Sequence, residues 1–307
     1  MTVTTGMRCD YPPTRGGWGK CPENPLLGSP EIGTCFDVHV RRSAVGYRMY
    51  FSWRTHHSIA VTESVDGVHW GELRTVLPPD PDSGWEDKVN RNCVVEEPDG
   101  RILMWYTGQA RKRSLIGLAE SRDGGASFHR FGREPVMIPE FPWEKDSVMN
   151  PFVLKENGVY RMWYAAGETY EPNAIGYAES ADGVNWKKSR INPIFCRGDA
   201  PCDSARVGGC EVLKQPDGSY IMFYIGYEDI HTARICAATS PDGITRWRRL
   251  TSNPLVSPEP GAWDADACYK PSVIFEPEQR RWRLWYNGRS GRAEYVGMAT
   301  HEGIALE

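Results

Sequence analysis

Three features of the sequence predict an all-β chain. One aromatic-rich phrase recurs five times, as YRMYFSW (47–53), RILMWYTG (101–108), YRMWYAAG (160–167), YIMFYIG (220–226) and RWRLWYNG (281–288). Each copy alternates or runs continuously in aromatic and long apolar residues, the pattern of a strand rather than a helix. A shorter apolar strand and a polar turn precede each copy, and a strand ending in a turn follows it. A unit that recurs in this way cannot bury its apolar face alone and must stack on its neighbours. Four antiparallel strands per unit, arranged radially, describe a five-bladed β-propeller.

The strands can be justified in order. The first strand and its turn are read in VVEEPDGRILMWY, FVLKENGVYRMWY, EVLKQPDGSYIMFY and SVIFEPEQRRWRLWY, with VHVRRSAVGYRMYF in the first unit. Pro-Asp-Gly and Glu-Asn-Gly supply the positive φ that a tight hairpin needs. The third strand follows as IAVTESVDGVHW, IGLAESRDGGASF, IGYAESADGVNW, ICAATSPDGITRW and a truncated VGMATHEGIALE. EPVMI (134–138), NPIF (192–195) and NPLV (253–256) supply the fourth strands. The fifth unit lacks one, and NPLL (24–27) ahead of the first unit matches it. The N-terminal strand is therefore expected to complete the last blade and remove an open sheet edge. On this reading residues 1–307 form a single domain, with 1–28 as an N-terminal arm and closing strand.

Composition narrows the class of function. Hydrophobic residues make up 40% and charged residues 25% of the chain, and the formal net charge is −4. Such a balance suits a soluble globular protein with ample core, and offers no basic surface for nucleic acid. No apolar run reaches the ~20 residues of a membrane span, and MTVTTGMRCDYPPTRGG lacks the apolar stretch of a secretory signal. A cytoplasmic protein is expected. The nine cysteines include no CxxC pair, so packed thiols are expected rather than disulfides or a zinc site. Cys35, Cys93, Cys210 and Cys268 read as falling at corresponding places in the repeats. No metal and no cofactor is expected.

In a propeller the first strands line the axis. Aligning them on Val40, Val94, Val153, Val212 and Val273 puts Asp37, Arg91, Asn150, Gly209 and Lys270 three residues before the anchor. One residue before it stand His39, Cys93, Phe152, Glu211 and Ser272. A strand period of two places both sets on one face. Asp37, Glu211, His39, Arg91 and Lys270 would then meet in the funnel, a polar set suited to a binding site. For His39 a hydrogen-bonded structural role and an acid–base role both remain open.

A second recurrent phrase precedes the strands, as WEDKVNRN (85–92), WEKDSVMN (143–150) and WDADACYK (263–270). Recurrence favours a structural task, so Asp87, Asp146 and Asp266 are expected to accept backbone N–H groups. Asp146 is retained as a catalytic candidate as well. Trp85, Trp143 and Trp263, like Trp105, Trp163 and Trp285, read as packing residues. The connections between second and third strands, RTHHS (54–58), QARKRS (109–114), GETYEPNA (167–174), YEDIHTA (227–233) and GRSGRAE (288–294), are rich in His, Arg, Glu and Tyr and are expected to carry specificity, His57 among them.

Taken together, an Asp at the head of the first unit, the IGYAESADGVNW-type phrases, the MWY second strands and the NP fourth strands resemble the five-bladed propeller glycoside hydrolases of families 43 and 32, which include arabinanases, xylosidases and invertases. The resemblance covers essentially the whole chain. It implies three working carboxylates: a base or nucleophile in the first blade, a pKa-tuning group in the third and a Glu acid in the fourth. Asp37 matches the first place. The second, Asp-Pro in the family, reads Asn150-Pro151 here, which leaves Asp146 as the acid able to reach in. At the third place stand Gly208 and Gly209, with Glu211 as the nearest acid.

The expected function is therefore a glycoside hydrolase or related glycan-active enzyme using Asp37 and Glu211. Such a pair suits glycoside cleavage because one carboxyl must donate a proton while the other stays ionised. Arg91, Arg206 and Lys270 would hold an anionic group, pointing to a small, acidic sugar-like molecule or an oligosaccharide as the partner, with Asn150, His39 and His57 also in contact with it. The alternative is a propeller with a diverged site, serving as a ligand-binding protein or as an isomerase or cyclase.

Overall fold

A computed structural model of the chain describes residue 14 and residues 16–306. The part of the expected N-terminal arm at 1–13 lies outside the described residues.

The chain is all-β, and every repeat read from the sequence is a four-stranded antiparallel meander. The first described strand, β1 (Trp18–Lys20), stands apart from the first repeat. That repeat comprises β2 (Cys35–Ser43), β3 (Gly46–Trp53), β4 (Ser58–Ser64) and β5 (Arg74–Leu77). The second is β6 (Lys88–Glu96), β7 (Ile102–Ala110), β8 (Arg113–Ser121) and β9 (His129–Arg130). The third is β10 (Ser147–Glu156), β11 (Val159–Glu168), β12 (Glu171–Ser180) and β13 (Lys187–Lys188). The fourth is β14 (Arg206–Lys214), β15 (Tyr220–Tyr227), β16 (Ala233–Ser240) and β17 (Arg248–Arg249). In the fifth, β18 (Ala267–Glu276), β19 (Arg281–Ser290) and β20 (Ala293–Glu302) are joined by β1, which runs antiparallel to β20 with Trp18 opposite His301. A single parallel bridge, Ala233 to Ala267, links the fourth and fifth meanders.

The fourth strand differs from its expected position. The paired segments are Arg74–Leu77 and the dipeptides at 129–130, 187–188 and 248–249, while Met137, Phe195 and Val256 from the predicted phrases make single bridges to the third strand. An asparagine side chain accounts for the interruption in the third and fourth repeats. Asn192 accepts from the Tyr177 N–H and donates to its carbonyl, and Asn253 does the same with Ala237. The carboxamide replaces one step of the backbone ladder, and the proline that follows has no N–H to continue it. Asn24 treats Met298 identically, and Leu27 bridges Val296, so the N-terminal segment occupies the fourth-strand place of the fifth repeat.

A second recurrent device fixes these edges. Buried acids Glu86, Glu144, Asp203 and Asp264 accept the hydroxyls of Tyr106, Tyr164, Tyr224 and Tyr286. Each also pairs with a cation from the fourth strand: Arg130, Lys188, Arg249 and Lys20 respectively. A buried carboxylate is tolerated when its charge is compensated, and here a phenol and a cation do so in four repeats, although in Asp203 and Asp264 both meet the same oxygen, Oδ2. Trp85, Trp143 and Trp263 lie 6.1, 5.8 and 5.6 Å from the same tyrosine rings Tyr106, Tyr164 and Tyr286. The third-strand glycine is required by this packing: a Cβ on Gly117 would lie 2.5 Å from Tyr106 and 2.6 Å from Trp85.

The repeats are joined side by side. The buried indoles of Trp105 and Trp163 donate to the carbonyls of Gly183 and Gly243 in the following repeat, and Trp285 of the fifth repeat donates to Gly67 of the first. Backbone N–H groups of the first strands reach back in the same order. Arg91 donates to Ser52 Oγ, Asn150 to Thr107 Oγ1 and Asp37 to Asn287 Oδ1, the last again joining the fifth repeat to the first. The eight described cysteines are all free. Their places in the repeats are not all equivalent: Cys35 and Cys268 oppose Trp53 and Gly288, but Cys93 opposes Trp105 and Cys210 opposes Tyr224.

Candidate functional site

Every first strand carries a one-residue bulge at the same place, with register shifts at Phe36/His39, Asn90/Cys93, Met149/Phe152, Gly208/Cys210 and Tyr269/Ser272. The residues inside the bulges are the ones aligned from the sequence. Asp37, Arg91, Asn150, Gly209 and Lys270 all have positive φ, from 34° to 54°. Left-handed backbone costs a non-glycine residue about 1 kcal/mol or more, and each of these bulges re-aims a side chain.

The bulge also breaks the strict alternation that placed both residue sets on one face. Asp37, Arg91 and Asn150 line a cavity of about 490 Å³, whereas His39 and Glu211 do not. The connections between second and third strands supply its upper wall, with Trp53, Arg54, His57 and Tyr170. Tyr227, Tyr269, Arg289 and Glu294 complete the far side.

Within the cavity Arg91 Nε lies 3.5 Å from Asp37 Oδ2. The guanidinium is oriented by the Tyr170 carbonyl at 3.1 Å and Met149 Sδ at 3.0 Å. Burial pushes the Asp37 carboxyl up from its ordinary range, while the charges of Arg91, Lys270 and Arg54 pull it back. Arg54 reaches across to Glu294, with Nη2 to Oε2 at 3.0 Å. Burial raises Glu294 too, against Arg54, and the charge of Asp37 adds to the rise.

A second buried group lies off the cavity wall. Glu211 accepts the Val273 N–H at 3.0 Å, and burial pushes its carboxyl up to about 7. His39 Nδ1 stands 3.9 Å from Glu211 Oε2. Burial holds this imidazole well below its ordinary value, so it faces Glu211 as a neutral ring and not as an ion-pair partner. Lys270 is fully buried, and among the described residues its Nζ has no hydrogen-bond partner. Its stem passes the fourth repeat: a Cβ on Gly209 would lie 3.4 Å from Lys270 Cδ and 2.6 Å from Asn150 Nδ2.

The remaining sequence candidates lie elsewhere. Asp146 is exposed and accepts the Thr169 N–H at 2.6 Å, while Asp266 accepts that of Gly291 at 2.7 Å, which is the structural task expected of both. Asp87 is exposed. Arg206 stacks over the Tyr227 ring at 5.2 Å and approaches Glu171 at 3.6 Å, outside the cavity wall. Sequence reasoning named the connections holding Arg54, Tyr170 and Glu294 without singling these residues out. Among the described residues no group of three or more His, Cys, Asp or Glu is placed to hold a metal ion. No helix among them is long and apolar enough to cross a membrane.

The model for the glycosyl hydrolases family 32 N-terminal domain matches residues 46–193. A thermostable family-43 glycoside hydrolase of known structure superposes with a TM-score of 0.72 at 18% identity, over 90% of this chain and 91% of that one. The chain thus resembles the propeller glycoside hydrolases of families 43 and 32, over residues 46–193 in sequence and over most of its length in fold. The chain belongs to the same family as an uncharacterized protein of Mycobacterium tuberculosis (strain CDC 1551 / Oshkosh), 31% identical over 277 residues, 83% of this chain and 88% of that protein. A β-1,2-mannobiose phosphorylase of Thermoanaerobacter sp. (strain X514) is 29% identical over 136 residues, 39% of this chain and 44% of that protein. Against the pattern of the glycoside hydrolases it resembles, the fourth-repeat place is the telling departure. An acid at Gly209 would have to displace Asn150, Ile225 or Lys270.

Proposed function

We propose that this chain is a glycan-active enzyme that acts on a small sugar-containing substrate in the cavity, with Asp37 as the ionised carboxylate and Arg91 holding an anionic group of the substrate or co-substrate. The observation that carries the reading is the Asp37–Arg91 pair, 3.5 Å apart on the wall of the cavity. A guanidinium offers a fork of donors suited to carboxylate or phosphate. The position beside Asp37 would bring that anion to the reacting centre. Phosphate is the favoured anion, since a relative is named as a mannobiose phosphorylase and the same arrangement would let phosphate take the place of water as the attacking group. The five meanders form, on this reading, one five-bladed propeller over residues 1–307, closed by β1 and housing reduced thiols in the cytoplasm.

The test is turnover of 4-nitrophenyl glycosides and of β-1,2-mannobiose, each with and without phosphate. Asp37→Asn should abolish turnover, and Arg91→Gln should raise KM for phosphate or acidic glycosides far more than for neutral ones, beyond the loss that all substrates share through Asp37. Equal losses on charged and neutral substrates would remove Arg91 from this role. The alternative, a non-hydrolytic biosynthetic enzyme or a binding protein, is favoured by the missing fourth-repeat acid at Gly209. Ligand binding without turnover by the wild type would establish it.

A further inference from the structure

We propose that Glu294 is the proton donor of this site, working across the cavity from Asp37. The inference rests on the glycan-active reading and names the partner that the fourth repeat does not provide. The cavity wall carries three carboxylates, Asp37, Glu171 and Glu294. Glu171 is unsuited to the task, since its side chain is 52% exposed and pairs with Arg206. Glu211 is engaged by the Val273 N–H and stands off the wall. Glu294 is 14% exposed, at the start of β20 opposite Arg289 in the register.

The two remaining carboxyls are electrostatically linked. Asp37 and Glu294 both feel the Arg54 guanidinium, and the negative charge of Asp37 opposes ionisation of Glu294. Arg91 at 3.5 Å favours the ionised form of Asp37. Burial raises both carboxyls, but Asp37 faces three cations, Arg91, Lys270 and Arg54, whereas Glu294 faces Arg54 and Arg289 together with the negative charge of Asp37, which leaves Glu294 the one to keep a proton. As the glycosidic C–O bond breaks, its electron pair stays on the leaving oxygen, which takes the proton from Glu294. Water gives an electron pair to the anomeric carbon and its proton to Asp37; phosphate in place of water attacks through an oxygen already ionised. The carboxylate left on Glu294 is met by Arg54, already 3.0 Å away, and proton exchange with solvent resets both groups.

Leaving-group dependence provides the test. For the glycoside that the wild type turns over, Glu294→Gln should lower kcat/KM by about 10²- to 10⁴-fold on a poor leaving group such as methyl. A 2,4-dinitrophenyl aglycone needs no proton and should react within a few-fold of wild type. The alkaline limb of the pH profile should vanish. Equal losses on both aglycones, or an intact alkaline limb, would overturn the assignment while leaving the proposed function standing. Infrared difference titration of wild type against Glu294→Gln gives a readout without turnover: a carboxyl should titrate above the ordinary range, and its midpoint should fall in Asp37→Asn. A Glu294 that titrates normally, or ignores Asp37, refutes the proposal whether or not any glycoside is cleaved.

Discussion

Glu211 makes the pH dependence of stability a measurable quantity. Burial raises its carboxyl from an ordinary 4.5 to about 7 in the fold. Between those values the folded chain holds a proton that the unfolded chain has released, so stability falls as pH rises through this window. Between pH 5 and pH 8 a single such group removes roughly 2.5 kcal/mol. The attraction of Lys270 is already contained in the shifted value. Glu211→Gln keeps an oxygen for the Val273 N–H and cannot ionise, so it should gain about 2.5 kcal/mol relative to wild type over the same interval. His39 acts in the opposite sense: held neutral by burial, it costs stability as pH falls below 6.5. Subtracting the variant's profile from that of the wild type cancels this contribution. Urea denaturation at pH 5, 6, 7 and 8 is the assay. Parallel profiles for the two proteins, within about 0.5 kcal/mol, the usual spread for a change that touches nothing, would refute the argument that burial raises the Glu211 carboxyl toward neutrality.

Other expectations follow from the packing. Lys188→Met leaves Glu144, which is fully buried, without its cation, and should cost about 3–5 kcal/mol in denaturant unfolding. Gly117→Ala drives a methyl into Tyr106 and Trp85, and a loss of about 1–3 kcal/mol should appear as a lower denaturation midpoint with an unchanged m-value. Removing residues 1–28 strips Lys20 from Asp264 and Asn24 from Met298 and bares the edge of β20; loss of cooperative unfolding and concentration-dependent aggregation should be seen by calorimetry and light scattering.

Repetition made the fold legible, because each strand type appears several times and a misreading in one repeat is corrected by the others. The same comparison exposed NPLL as the fifth repeat's missing piece. Short elements were less visible. Arg130, Lys188 and Arg249 form two-residue strands whose pairing depends on a buried acid and a tyrosine from elsewhere in the repeat. Nothing local in HR, KK or RR announces that partnership. Alignment nevertheless found the bulge residues correctly as a set, since it compares equivalent positions without needing their conformation.

Alignment could not tell which face those residues serve. A strict period of two put Asp37 and Glu211 together, and the extra residue in each first strand separated them. One signal was present: glycine and asparagine, the residues most at ease with positive φ, stand at equivalent places as Gly209 and Asn150. A column holding both marks a left-handed turn inside a strand, and so a break in its alternation. From that break it follows that an acid reading the ring position, as Asp37 does, faces the cavity, while an acid two residues further on, as Glu211 is, faces the neighbouring strand's N–H. A partner for Asp37 must then come from outside the first strands, which directs attention to the connection ending at Glu294.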